Sequence, residues 1–226
     1  MINKQKTRKG DRTRARILDT ALGLFLERGY EKTTMREIAG ASDVSVGNAY
    51  YYFASKEHLV QGFYALTHAE HLAAIEPELA RLKSFQRRLE RTLTTKIKTA
   101  DPYHSFSGIL FKSAADPKSP LNPFSSESQP TRDEGIELMR RIVDGSKERV
   151  PKDLAGDLPR LLWLYMMAII LFWLHDESEG RARTHKLIKR TSDIVARLVK
   201  LSSNPLMRPL RRSALKLLED LSDPGR

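Results

Sequence analysis

The sequence predicts an all-α fold, with a small helical module at the N-terminus and a larger helical domain after it. Apolar residues recur at helical spacing along most of the 226 residues, and no stretch shows the apolar–polar alternation of a half-buried strand. The chain is long enough for a small module joined to a larger core. No internal repeat or Gly-rich phosphate loop interrupts the helical pattern.

Composition narrows the class of protein. Lysine and arginine total 39 against 28 acidic residues, a formal net charge of +11, which favours polyanionic partners. The absence of cysteine excludes a disulfide scaffold, a thiolate metal site and a cysteine nucleophile. The longest apolar run, Leu161–Leu174, has 14 residues, too few to cross a bilayer. The chain begins with polar, basic residues rather than a signal peptide. We therefore expect a soluble, cytoplasmic protein with no membrane partner.

Residues 1–11 are predicted to form a basic flexible arm. Seven lysines and arginines and a single acid lie among the first sixteen residues, almost without apolar side chains. Such a segment is either a solubilising tail or a contact to a polyanion. The first helix is expected to begin near Arg12, because apolar residues repeat at helical spacing from Ile17 to Phe25. Gly29 is predicted to end this helix in the left-handed conformation.

The next segment has the pattern of a helix-turn-helix. Thr34 starts a short helix with a capping box. Asp43 occupies the turn position that requires a positive φ, which aspartate tolerates. Ser45 can cap a second short helix, which is expected to run to about Tyr52.

A longer helix is predicted to follow, capped by Ser55 and running to about Ile75, close to Pro77. Lys56 lies in its first turn, where backbone amides and a cation together suit a phosphate. The N-terminal domain is therefore expected to span residues 12–66.

The second short helix offers a reading face for the major groove. It turns five residues outward or toward its edge: Val46, Gly47, Asn48, Tyr50 and Tyr51. An asparagine amide can pair with an adenine edge, a valine can contact a thymine methyl, and tyrosine hydroxyls can donate to phosphates. The glycine allows close approach of the backbone to the duplex. For Tyr52 and Phe53 we prefer a packing role in the core.

These residues resemble the DNA-binding domain of the TetR family of bacterial transcription regulators. The similarity covers about the first 60 residues. It rests on four segments that occur in order: Ile17–Tyr30, Thr33–Ala39, Val44–Phe53 and Ser55–Glu57. The chain departs from the family at Asp43, where glycine is usual, and at Asn48-Ala49, where Thr-Leu or Thr-Ile is common. The first change is compatible with the turn, whereas the second alters the expected base preference.

The resemblance implies a DNA-binding role for particular positions. Thr34 and Arg36 match the start of the helix that crosses the DNA backbone, and Lys56 matches the phosphate-contacting lysine. The matching recognition-helix positions are Ser45, Val46, Gly47, Asn48, Tyr50 and Tyr51. In some family members a basic arm like residues 1–11 also reaches along the duplex or into the minor groove.

For residues 67–226 the resemblance implies a helical ligand-binding and dimerisation domain. Helices near 158–175 and 181–201 are expected to form a homodimer interface. The ligand pocket is expected among the helices from about Leu79 to Phe172. Its candidate wall residues are aromatic or flexible and apolar, although residues of this kind more often form ordinary core than contact a ligand: Tyr103, Phe106, Phe111, Met139, Trp163, Met166, Met167 and Phe172. The Pro-rich segment 115–131 is either a pocket lid or a surface loop, and a last helix is expected from Leu206 to Leu221.

No catalytic constellation is recognisable in the sequence. His68 and His71 are three residues apart on one predicted helix, but no third histidine or carboxylate pair lies nearby to complete a metal site. We therefore predict no metal, no cofactor and no enzymatic activity.

Together these features predict a ligand-responsive, dimeric, DNA-binding transcriptional regulator. The expected mechanism is that of a repressor released from a palindromic double-stranded DNA operator by a small-molecule effector. Alternatives are an activator or a constitutive DNA-binding protein on the same fold, or a sequence-neutral, nucleoid-type nucleic-acid binder.

Overall fold

The computed structural model of the chain describes residues 2–213 and 216. These residues contain α-helices and no strand, which confirms the all-α prediction. The principal helices are α1 (Ile2–Arg28), α2 (Met35–Ala41), α3 (Val46–Tyr52), α4 (Lys56–Arg81), α5 (Phe85–Ala100), α6 (His104–Ala115), α7 (Gln129–Asp144), α8 (Lys152–Ala155), α9 (Leu158–Leu174) and α10 (Ala182–Ser202). A further helical stretch follows at 208–213. The remainder of the predicted helix Leu206–Leu221 lies outside the described residues, apart from residue 216.

The chain divides into two compact units. The N-terminal unit comprises Met1–Ala69 and Pro102–Arg132, and the C-terminal unit comprises Glu70–Asp101 and Asp133–Arg226. The domain boundary expected after residue 66 lies close to the first division. Residues 102–132, which we assigned to the C-terminal domain, pack with the N-terminal helices. The reason is apolar contact, because three side chains of this segment are buried in the N-terminal core: Phe106, Leu110 and Leu121.

The beginning of α1 also differs from the sequence-based expectation. The helix begins at Ile2, so that the described part of the predicted arm, residues 2–11, continues directly into the rest of α1. The physical reason is composition: lysine, arginine and glutamine are good helix formers, and no proline interrupts the segment. Gly29, with φ of 86°, ends α1 in the left-handed conformation, as predicted.

Aromatic rings and small residues form the core of the N-terminal unit. Phe106 on α6 stacks on Phe25 of α1 at a centroid distance of 5.6 Å and meets Phe63 of α4 edge-on at 5.1 Å. The buried alanines at residues 39 and 49 let α2 and α3 approach this core closely.

The Pro-rich segment 116–128 is a loop, as expected, and it is fixed to the N-terminal unit. The Gln61 amide of α4 donates to the Pro120 carbonyl at 2.7 Å and to the Ser128 hydroxyl at 3.1 Å. Arg132 donates to the carbonyls of Pro123 and Ser125 at 2.8 and 3.0 Å. These bonds order the loop; a role as a pocket lid stays a prediction.

Helix α4 continues beyond its expected end near Ile75 and passes through Pro77. Residues 78–81 therefore belong to α4, and α5 begins only at Phe85. Proline removes one backbone donor from a helix. The turn that follows is nevertheless retained by Leu79, which is buried in the C-terminal core.

The C-terminal unit contains α5, α7, α8, α9, α10 and the end of α4. One side of α9 is buried in its core through five side chains: Leu162, Trp163, Met166, Ile169 and Trp173. The opposite side of α9 retains exposed apolar residues, among them Leu171 and Phe172. Among the described residues, none of the helices has the length and apolar character that a membrane crossing requires.

Candidate nucleic-acid interface

The helix-turn-helix consists of α2, a four-residue turn and α3. Thr34 caps α2: its hydroxyl accepts the Glu37 N–H at 3.2 Å, and the Glu37 carboxylate accepts the Thr34 N–H at 2.8 Å. These bonds from Thr34 hold the pKa of Glu37 below its usual value. Asp43 has φ of 53°, as the turn requires. Ser45 caps α3 by accepting the Asn48 N–H at 3.1 Å. The predicted caps and turn are thus confirmed.

Helix α3 exposes the predicted reading face. The exposed fractions of Val46, Tyr50 and Tyr51 are 39%, 49% and 81%, and Gly47 and Asn48 are exposed as well. Apolar side chains that pack in a core are normally covered, so an exposed valine beside two exposed tyrosines marks a surface available for contact. The face carries hydrogen-bonding groups, a methyl-bearing side chain and a glycine, which together can contact base edges and phosphates.

The end of α3 is anchored to α1. Phe53 is buried, and the Arg14 guanidinium lies over its ring at 4.7 Å from the centroid. Tyr52 is half-buried, and its hydroxyl lies beside Gly10, at 3.6 Å from where a Cβ would stand. The basic beginning of α1 therefore runs next to the end of the reading helix. Sequence reasoning missed this proximity because it treated residues 1–11 as separate from the helix.

A groove of about 380 Å³ lies beside the helix-turn-helix. It is lined by Glu31, Thr33, Thr34, Met35, Tyr50, Ala54, Ser55, Lys56 and Glu57. Three predicted DNA-contacting residues, Thr34, Tyr50 and Lys56, thus share one concave surface. Arg36 is exposed on α2.

Lys56 has a different environment from the one expected. Its ammonium donates to the Tyr30 carbonyl at 2.8 Å and to the Glu31 carbonyl at 3.4 Å, and lies 4.5 Å from the centre of the Tyr30 ring. Two of its three donors therefore point at the link between α1 and α2. Sequence reasoning missed Tyr30 and Glu57 as partners at this place, since they lie about 26 residues apart.

The structure separates the predicted ligand-pocket residues into two cores. Phe106 is buried in the N-terminal core, with Tyr103 packed against it, and Phe111 lies on the same helix as Phe106. The residues in or against the C-terminal core are Met139, Trp163, Met166 and Met167. Phe172 is 41% exposed. No single cavity within the described residues of either unit brings the eight together, and their ligand role stays a prediction.

Apolar residues are exposed on α9 and α10, the helices predicted to dimerise. They are Leu171, Phe172, Ile194, Leu198 and Leu201. The last three recur on α10 at intervals of four and three residues, which places them along one stripe of the helix. A stripe of this kind is typical of a protein–protein contact.

The histidines expected not to bind metal are both buried. His71 lies 3.0 Å, through Nε2, from the Thr92 carbonyl. Over residues 2–213 and 216, no group of three histidine, aspartate or glutamate side chains has a geometry that could hold a metal ion.

Comparison with known protein families agrees with this architecture. Residues 17–63 match the family described as "Bacterial regulatory proteins, tetR family", and residues 88–217 match "Tetracyclin repressor-like, C-terminal domain". A 58-residue stretch is 48% identical to the HTH-type transcriptional repressor KstR of Rhodococcus jostii and covers 26% of this chain and 25% of that protein. The chain thus matches about a quarter of the length of such curated relatives.

Solved structures resemble the chain over most of its length. A putative TetR-family transcriptional regulator from Syntrophomonas wolfei has a TM-score of 0.65 at 20% identity, covering 82% of this chain and 95% of that one. The regulator FadR from Bacillus subtilis, in complex with stearoyl-CoA, has a TM-score of 0.61 at 13% identity, covering 79% and 96%. At these identities the likeness supports the fold.

Proposed function

Because the chain belongs to the TetR family of bacterial regulatory proteins, we propose that this transcriptional regulator is a homodimeric repressor. It binds an inverted-repeat DNA operator and leaves it when a small molecule binds. The observation that carries the proposal is the exposed face of α3, where a valine and two tyrosines flank Gly47 and Asn48 without being covered by the fold.

Contacts in the major groove provide the base specificity. Asn48 has the side chain suited to pair with an adenine edge, Val46 can contact a thymine methyl, and Gly47 permits close approach. Tyr50 and Tyr51 hydroxyls donate to phosphates on either side. The hydroxyls of Thr34 and Ser45 cap α2 and α3. They contribute to DNA binding by holding the first turns of these helices in the conformation that meets the duplex.

The basic beginning of α1 adds a sequence-independent contribution. Because Gly10 lies beside Tyr52 at the end of α3, we expect the basic segment that ends at residue 11 to contact the same duplex. Exposed Arg36 acts in the same way from α2. Charge of this kind raises affinity for every duplex and makes it fall with added salt.

The stripe of Ile194, Leu198 and Leu201 on α10, together with Leu171 and Phe172 on α9, supports association of two copies. Two-fold symmetry places two reading helices on one face of the DNA, so the operator is an inverted repeat with half-sites about one helical turn apart. Effector binding lowers operator affinity only if the effector prefers the form that does not fit the operator.

Selection of duplexes from a random library by the full chain identifies the operator. Asn48→Ala is expected to weaken operator binding by roughly 1–3 kcal/mol and to relax base choice at one position per half-site. Arg36→Ala is expected to weaken all duplexes about equally and to lower the salt slope by about 1. Lys189→Ala, an exposed cation of the C-terminal unit, is the charge-matched control. If Asn48→Ala keeps both affinity and base preference, the reading face is misassigned.

The same assay separates the alternative functions. Unrelated DNA and added salt displace a sequence-neutral binder from the duplex, whereas specific binding survives an excess of unrelated competitor DNA. Deletion of the gene raises transcription from the bound promoter for a repressor and lowers it for an activator.

The dimer interface is tested by sedimentation of the Leu198→Asp variant, because a charge buried in the interface should leave the protein monomeric. Stearoyl-CoA, the ligand in the FadR structure, is a first effector probe, and operator binding unaffected by any effector would indicate a constitutive protein.

A further inference from the structure

The two ends of the helix-turn-helix are joined by side-chain bonds at its base. The Tyr30 hydroxyl donates to Glu57 Oε1 at 2.9 Å, and Lys56 Nζ donates to the Tyr30 carbonyl at 2.8 Å and to the Glu31 carbonyl at 3.4 Å. Tyr30 precedes α2, while Lys56 and Glu57 begin α4 after α3. Everything between them in sequence is the helix-turn-helix and its flanking residues. We call Tyr30, Lys56 and Glu57 the neck clamp.

The neck clamp spans two connections that are not helical. On one side, Gly29 leaves α1 with φ of 86°. On the other, Phe53 is extended, with φ of −141° and ψ of 106°. The chain enters α2 and leaves α3 through these two connections. Continuous helical hydrogen bonds therefore do not hold the pair at a fixed angle to α1 and α4. Apolar packing keeps α2 and α3 on the core, and the neck clamp fixes where their two ends stand relative to each other.

The chemistry of the neck clamp is internally consistent. Tyr30 is buried, and its ring lies 5.2 Å from that of Phe25. Burial, and then the bond to Glu57, raises the pKa of Tyr30, so the hydroxyl remains a donor. Burial opposes ionisation of Glu57, but hydrogen bonds from Ser55 and Tyr30 and the charge of Lys56 outweigh it and lower its pKa. The acceptor is therefore a carboxylate at neutral pH, which makes the bond charge-assisted.

We propose that Tyr30 and Glu57 are positioning residues for DNA recognition, and that Lys56 acts mainly through the same neck clamp. The proposal rests on the proposed DNA-reading function of α3. Base contacts require side chains to be held within about 0.5 Å and 10–20° of their productive geometry. Release of the neck clamp lets α2 and α3 tilt on the core, which weakens base reading more than attraction to phosphates. Tyr30 and Glu57 act through α3 and need not touch the duplex.

The test compares Tyr30→Phe with Tyr64→Phe in the full chain. Tyr30→Phe keeps the ring on Phe25 and removes only the hydroxyl. Tyr64 is a half-buried tyrosine of α4 whose hydroxyl bonds none of the described residues. For a duplex selected by the wild-type chain, Tyr30→Phe is expected to lower affinity about 3- to 10-fold, which is a part of the roughly 10- to 150-fold that the full loss of one charge-assisted hydrogen bond corresponds to. Affinity for unrelated duplex and the salt slope should stay unchanged, and Tyr64→Phe should bind as wild type.

Variants of Glu57 test whether the pair acts as a unit. Glu57→Ala should reproduce the loss of Tyr30→Phe, and the double variant should be no weaker than either single one. Glu57→Gln should lose less than Glu57→Ala, because its amide oxygen still accepts the bond. Equal operator affinity of Tyr30→Phe and wild type, or additive losses in the double variant, would overturn the proposal.

Amide hydrogen exchange gives a readout that does not depend on DNA. In Tyr30→Phe, amides of α2 and α3 should exchange faster by a factor similar to the affinity loss, while amides of α9 and α10 should be unaffected. A purely stabilising role would speed exchange throughout the unit without a selective change in operator affinity. If the wild-type chain selects no duplex, the proposed function fails. The exchange experiment then decides the neck clamp alone, and unchanged exchange in α2 and α3 refutes it.

Discussion

Replacement of Arg88 by methionine tests how the C-terminal unit joins two helix ends. Arg88 is buried on α5 and bonds four carbonyls, and no carboxylate of the described residues pairs with it. One belongs to the end of α4, at Leu79 (2.6 Å), and one to the residue that follows the helix, Leu82 (2.8 Å). Two belong to α7, at Arg141 (2.5 Å) and Ile142 (3.0 Å). The last carbonyls of a helix lack intrahelical donors and carry partial negative charge, so a guanidinium is a suitable partner for both ends.

The magnitude follows from which carbonyls lose their donors. The two α7 carbonyls keep a second donor, the Gly145 N–H or the Ser146 hydroxyl. Within the described residues, the two carbonyls near the end of α4 have no other donor. Each orphaned buried carbonyl costs about 1–3 kcal/mol. Part of this is offset because methionine does not carry the desolvation cost of the guanidinium. We therefore expect Arg88→Met to lower the free energy of unfolding by about 3 kcal/mol.

Gly145 supplies a matched second substitution. A Cβ at Gly145 would stand 2.6 Å from the Arg88 Cζ, and the backbone there does not require positive φ. Gly145→Ala must therefore displace the guanidinium in the wild-type chain. In the Arg88→Met background the flexible methionine side chain takes the place of the guanidinium. Gly145→Ala should therefore lower the free energy of unfolding much less in this background than in the wild-type chain. Overpacking typically costs about 1–3 kcal/mol, so the double-mutant cycle should show a coupling of about that size.

Equilibrium unfolding in urea, followed by circular dichroism, measures all four chains of the cycle. The C-terminal transition should move to lower urea in Arg88→Met and Gly145→Ala, with similar slopes. A destabilisation by Arg88→Met of less than about 1 kcal/mol would mean that water replaces the guanidinium at the two carbonyls near the end of α4. Equal effects of Gly145→Ala in both backgrounds would refute the contact between the two residues.

Two further predictions concern titratable groups of the C-terminal unit. Burial opposes ionisation of Asp176, but hydrogen bonds from Ser178 and Thr184 outweigh it and hold its pKa below the usual value. The Asp176 carboxylate contributes fully to the stability of the fold at pH values above the pKa of an unfolded aspartate. This contribution is lost as the pH falls toward the lower pKa of the folded state. Asp176→Asn should therefore lower the free energy of unfolding, measured by urea titration, by about 1–3 kcal/mol at neutral pH and by less at acidic pH. Burial, partly offset by Glu70, lowers the pKa of Lys96 to about 8. The unfolded chain binds this proton more tightly, so Lys96→Met should be more stable than wild type at pH 7, and this gain should disappear as pH rises through 10.5.

Local sequence signals predicted the helix-turn-helix well. The capping box of Thr34, the turn at Asp43 and the cap at Ser45 each depend on residues within four positions of one another, and all three are observed. The exposed face of α3 followed from helical periodicity alone. Its DNA role remains a prediction, because exposure is a property of the free chain whereas recognition depends on a partner.

Signals that depend on distant partners were not readable from sequence. The end of α4 was placed too early because Pro77 is a strong local breaker, whereas the burial of Leu79 and the bonds from Arg88 come from other helices. In the same way α6 was assigned to the C-terminal domain by its position in the chain, although Phe106 packs against α1. The bond from Lys56 to a carbonyl 26 residues earlier could not be inferred from spacing either, and its phosphate contact stays a prediction.

The same contrast between local requirements and long-range packing explains how similarity to known proteins is distributed along the chain. Identity of 48% to a curated repressor covers 58 residues, and the N-terminal family model matches residues 17–63, whereas a solved regulator of similar fold shares 20% over most of the chain. A helical core tolerates substitution when volume and apolar pattern are kept. A short helix-turn-helix instead requires particular caps, a turn residue that accepts positive φ, and side chains at its base that fix both ends. The neck clamp predicts that Tyr30 and Glu57 change together, because loss of either partner leaves the other, buried Tyr30 or half-buried Glu57, without this hydrogen bond.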